Sequence, residues 1–343
     1  MLMTTLDAVR STLPPLEVAA TFGALFVVLS WVRPRTLVTM PAEAPRRTIA
    51  TVAGTVGGLA VAATSTWTST LAATLPETTG YDGWWQRPLP LLVATAVVTV
   101  TGAALRGVAA TPVGDRAVGP RRSWDAFAPR GALRVGGVAV VALLAVAGWH
   151  TVTATSAPPQ GPFFSEVPEW TALPIFTRFS GSFGYLAGAG WPNHLATLVV
   201  VVLAVAVVVT TLRSDADRAV SARDSAATVR ADRAPLARVL VLVLLAGLLS
   251  TLGAVLMHVG ASGYGLVGLP GDGRGDGPDD LILVAGAYDA IARPMNVLGY
   301  LVQGIGFALG LRLAVDTVRA RASRAGGAAP GTAPVTVSRG TEA

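Results

Sequence analysis

The chain contains three histidines, His150, His194 and His258, and each stands at the edge of a long apolar run. Imidazoles ligate zinc, copper or haem iron without thiolates, and three of them make a common zinc ligand set. A pair can instead hold a haem axially. Glu17 and Asp289 lie at comparable edges of two other runs, where a carboxylate supplies a further ligand or a general base. The competing reading is simple interfacial placement, with one ring nitrogen in water and the other on a backbone carbonyl. Spacing leaves both open, because no HxxxH or HExxH puts two histidines on one helix face.

A second group lies in AYDAIARPMNVLGYLVQGIGFALG, residues 287–310. Asp289 and Arg293 are four apart and pair on one helix face. Pro294 lacks an N–H and disfavours helix at Arg293, which predicts a kink or break between an interfacial helix and the span beyond. Asn296, Tyr300 and Gln303 then form a polar stripe. Such a stripe either lines a path for a solute, ion or water or hydrogen-bonds neighbouring helices.

Other chemistry is excluded by composition. There is no cysteine, so disulfides, thiolate metal sites and thiol catalysis are absent. All 26 basic residues are arginine, which removes lysine Schiff bases and with them a retinal linkage.

These residues must be positioned by elements suited to lipid. Only 13% of the 343 residues are charged and 52% are hydrophobic, too little charge to coat a soluble protein of this size. A helix crossing a bilayer needs about 20 mostly apolar residues. Seven segments approach this, at about 17–32, 48–66, 88–105, 135–153, 195–212, 239–258 and 294–311. The expected fold is an all-α, polytopic membrane bundle of seven transmembrane helices over residues 1–325. Its natural environment, and first partner, is the lipid bilayer.

Arginine placement predicts the orientation. Twenty-one of the 26 arginines fall on one side of the alternating spans; with that side cytoplasmic, the N-terminus is outside and the C-terminus inside. The basic loops are then ordinary juxtamembrane charge, and no nucleic-acid partner is expected. Trp67, Trp84, Trp85, Trp149, Trp170 and Trp191 gather at the outer boundary, as an interfacial aromatic belt does.

The connections carry their own signals. The outer loop 154–192 is aromatic, with Phe163, Phe164, Phe176, Phe179, Phe183 and Tyr185 besides its tryptophans, and is expected to fold onto the bundle as a cap or lie in the interface. GDGRGDGPDD at 271–280 holds four aspartates among glycines but lacks the closing glutamate of a calcium loop. The Gly/Pro-containing tail 326–343 is expected to be disordered. Gly54/Gly58 and Gly306/Gly310 form GxxxG pairs suited to helix packing or dimer contact.

Two functional classes follow. The first is a non-catalytic accessory or transport-related membrane protein. The second is a membrane-embedded metal- or haem-binding enzyme or redox protein, with an outer-face site on His150, His194 and His258.

Overall fold

The computed structural model describes residues 15–32, 36–74, 86–108, 112–116, 123–156, 170–172, 175–179, 182–186, 191–269, 280–285 and 288–326. Within them are seven α-helices: α1 (Pro15–Val32), α2 (Ala44–Thr74), α3 (Leu89–Arg106), α4 (Arg130–Val152), α5 (Trp191–Ala216), α6 (Ala226–Ser262) and α7 (Asp289–Gly326). Six of these are long and apolar enough to cross a membrane; the apolar stretch of α1, Val18–Val32, is shorter. Their outer faces carry exposed Val28, Val100, Val138, Val141 and Val202, an apolar surface suited to lipid. Threonines within the spans satisfy their hydroxyls on the preceding turn, as Thr95 does on the Leu91 carbonyl at 2.7 Å and Thr101 on that of Val97 at 2.7 Å.

The most apolar stretch of sequence does not face lipid. Helix α6 is the central post, with Val239, Leu240, Val243, Ala246 and Val255 fully enclosed. It packs on α2, α3, α4, α5 and most extensively on α7. The α6–α7 seam is lined by glycines spaced seven apart, Gly253 and Gly260 on one helix and Gly299 and Gly306 on the other. A Cβ on Gly253 or Gly260 would enter the backbone of Gln303 or Asn296, and one on Gly306 would meet Ser250. Seven residues make about two turns, so each pair repeats on one face.

The two GxxxG motifs meet within this chain. A Cβ on Gly310 would lie 2.8 Å from the Gly58 carbonyl oxygen, while Gly54 faces Thr317. These glycines therefore pack α2 against α7 inside the bundle.

Several boundaries depart from expectation. Helix α7 runs unbroken through Pro294. The proline is the sixth residue, so the only bond its missing N–H forfeits is the one to Ala290 near the helix start. Helix α6 begins at Ala226 rather than near 239, because the side chain of Ser225 caps it by accepting from the Thr228 N–H at 3.1 Å.

The bundle is all-helical as expected, with three short antiparallel ladders in its connections. Strand β1 (Ala154–Ser156) pairs antiparallel with β2 (Trp170–Ala172), β3 (Ile175–Phe179) with β4 (Ser182–Leu186), and β5 (Tyr264–Leu269) with β6 (Asp280–Ala285). Short runs of β-branched and aromatic residues, IFTRF and YGLVGL among them, favour a pleated backbone. Ladder β3–β4 is joined by Ser180 and Gly181. Strand β3 lies near β6, β2 near α5, and β5 near the α6 and α7 termini, so the two strand-bearing connections adjoin at one end of the bundle. The segment 270–279 with most of the aspartate loop, Phe163 and Phe164, and the tail 327–343 lie outside the described residues.

The opposite, arginine-rich end is tied by side chains. Buried Arg46 of α2 pairs with Asp215 of α5 and with Asp232 of α6 at 3.2 Å. Arg233 donates to the carbonyls of Asp215 and Ala216 at 2.7 and 2.9 Å, closing the end of α5. Arg218 closes α3 through the carbonyls of Leu105 and Val108. Arg312 closes α1 through the carbonyl of Ser30 at 3.3 Å, and stacks over Trp31. The last carbonyls of a helix lack intrahelical donors, and here arginines from later elements supply them.

Candidate functional site

The three histidines come together at the strand-bearing end. Helix α4 arrives with His150 in its last turn, α5 leaves with His194 in its first, and α6 arrives with His258 one turn before its end. The His150 and His194 rings are 4.8 Å apart, centre to centre, and those of His194 and His258 are 6.1 Å apart. His150 is completely buried and His194 is 1% exposed.

Residues that the sequence reading did not single out complete the cluster. Arg87, in the turn that opens α3, places Nη2 2.7 Å from His258 Nδ1. Trp149 packs edge-on against His150 at 4.9 Å and against Tyr288 at 5.1 Å. Tyr288 stands 5.8 Å from His150 and anchors itself by donating its hydroxyl to the Val259 carbonyl at 2.9 Å. Its own carbonyl accepts from Ile291 and Ala292, starting α7. Gly263 makes room for the tyrosine, since a Cβ there would lie 2.6 Å from the ring. Trp149 thus forms a wall of the site. The signal that might have found Arg87 was its isolation, as one of five arginines on its side and directly before a span.

The polar atoms of this cluster are largely unspent. Both nitrogens of His150, both of His194, Nε2 of His258 and Nη1 of Arg87 are buried without a hydrogen-bond partner among the described residues. Arg87 has no ion-pair partner among them either. Burial alone pulls its guanidinium down to about 10, so it stays a cation at neutral pH. Burial likewise raises the Tyr288 phenol, which stays protonated. Because arginine only donates, its bond to Nδ1 leaves the His258 proton on Nε2.

The other candidates are placed differently. Asp289 is engaged with Arg293 at 3.8 Å. Glu17 lies in α1, and its side chain is outside the described residues. No group of three or more His, Asp or Glu side chains among the described residues is arranged to hold a metal ion. Asn296 donates to the Met257 carbonyl at 2.8 Å, and Gln303 to the Ser65 carbonyl at 3.1 Å. Both are buried, as is Tyr300. The stripe on α7 therefore ties that helix to α6 and α2.

No protein-family model, curated protein or solved structure matches this chain. The functional reading rests on the cluster itself.

Proposed function

We propose that this chain is a seven-span membrane protein, N-terminus outside and C-terminus cytoplasmic, that works by binding a ligand at the buried cluster of His150, His194, His258 and Arg87. The role is transport-related or accessory, with the site near the outer face. One observation carries this reading: separate elements deliver three imidazoles and a guanidinium to one buried place and leave most of their polar atoms without partners among the described residues. Such an arrangement costs stability, and a binding site is the usual reason for bearing that cost.

The orientation rests on the bias of 21 arginines to one side. A second reading, a metal or haem on the histidines, is favoured by the ring spacings of 4.8 and 6.1 Å. The fixed proton on His258 Nε2 and the adjacent guanidinium weigh against it, since both oppose a cation.

The test is a thermal-stability screen of the purified protein against divalent metals, haem and small anions, in wild type and in the His150→Phe/His194→Phe double variant. A ligand that stabilises wild type, and loses that effect in the variant, supports the reading. If no ligand of any of these classes separates the two proteins, the cluster is packing.

A further inference from the structure

We infer that the cluster's ligand is a small monovalent anion, of the chloride, nitrate or formate class, held by hydrogen-bond donors around Arg87 and His258. This rests on the binding-site reading above and specifies its chemistry. The argument is a count of donors and charge. Arg87 offers Nη1–H and His258 offers Nε2–H, and neither meets an acceptor among the described residues. Neutral His150 and His194 each hold one further donor and one acceptor. Among these four side chains donors therefore outnumber acceptors, and the charge Arg87 brings is positive.

Charge points the same way. A guanidinium with no carboxylate partner among the described residues, buried at the end of a membrane bundle, carries a charge that a bound anion neutralises. A metal cation adds to that charge, and a neutral solute leaves it unmet. Size follows from packing: the rings touch at 4.8–6.1 Å between centres and are walled by Trp149 and Tyr288, which leaves no room for a bulky organic anion.

The experiment uses the full chain, purified in detergent and reconstituted into nanodiscs of neutral lipid. Chloride, nitrate and formate are each titrated against gluconate at constant ionic strength. Thermal midpoint and Trp fluorescence are the readouts, with Trp149 beside His150 as reporter. A saturable rise in midpoint with a small anion, and none with gluconate, is expected. Arg87→Gln is expected to weaken the apparent affinity about 10- to 100-fold, the range of a hydrogen bond to a charged group, while Arg293→Gln leaves it unchanged.

Identical behaviour in chloride, nitrate, formate and gluconate overturns the proposal using wild-type protein alone, whatever the variants do. Saturation by zinc or haem with the same histidine dependence overturns the anion but keeps the binding site. Indifference to all of these ligands overturns both.

Discussion

The unpartnered imidazoles make a prediction with an unusual sign. Replacing both His150 and His194 by Phe in ligand-free protein should raise stability. Each ring buries two nitrogens without a partner among the described residues, and an unmet buried polar group costs about 1–3 kcal/mol. Counting one such group per ring gives a gain of roughly 2–6 kcal/mol. Phenyl rings keep the edge-on contacts of His150 with Trp149 and Tyr288, but their extra bulk costs about 1–3 kcal/mol. At mid-range values the net expectation is a stabilisation of about 2 kcal/mol. His258→Phe should do the opposite, because it strips the acceptor from Arg87 Nη2; a loss of about 1.5–3 kcal/mol follows. The assay is equilibrium unfolding in mixed micelles, with anions held to gluconate. If the double variant loses about 2 kcal/mol or more, the imidazole nitrogens are satisfied in the folded protein and the site argument fails.

Four further outcomes follow from the packing and the charge pattern. Gly253→Val, which drives a side chain into the Gln303 backbone, should cost about 3 kcal/mol or more; Gly137→Ala in α4, with nothing within 4 Å of its Cβ, should gain about 0.5–1 kcal/mol, both read by the same unfolding assay. Gln303→Leu should lower stability by about 0.6–1.7 kcal/mol, the range of interhelical bonds in membranes; an unchanged midpoint together with a lost solute flux would return this residue to a transport path. Because the chain has no native cysteine, Asp224→Cys in the exposed α5–α6 connection can be labelled cleanly. An impermeant maleimide should reach it in inside-out vesicles and not in intact cells, and the reverse would invert the orientation.

The seven helices were legible because lipid demands long apolar runs, and each run became a helix. Their ends were less so. Hydropathy stops at about Val239, yet α6 begins at Ala226 because one serine hydroxyl caps it, a local event that an average cannot register. Pro294 read as a break, but tertiary packing of Asn296 and Gly299 on α6 holds the turn around it. The common depth of the three histidines was visible from helix alternation alone. Their lateral convergence was not, since it depends on α4, α5 and α6 being neighbours. Arg87 and Tyr288 were hidden in turns, where no periodicity marks a residue. The short strands were missed because span length dominated the reading of loops that have patterning of their own.

The arginines at the far end have a consequence for what the chain can become. Insertion direction depends only on positive charge, and lysine supplies that equally well. Closing α3 and α5 depends on a fork, since Arg218 reaches the carbonyls of Leu105 and Val108, and Arg233 those of Asp215, Ala216 and Arg218, each from one planar group. An ammonium has three donors on one nitrogen, so it cannot reproduce the spacing of two guanidinium nitrogens aimed at separate carbonyls. Lysine at 218 or 233 therefore keeps the positive charge and loses the clasp. At those two positions an exchange that preserves charge still loosens the finished bundle, so residues whose charge supports the proposed orientation also hold the helices together.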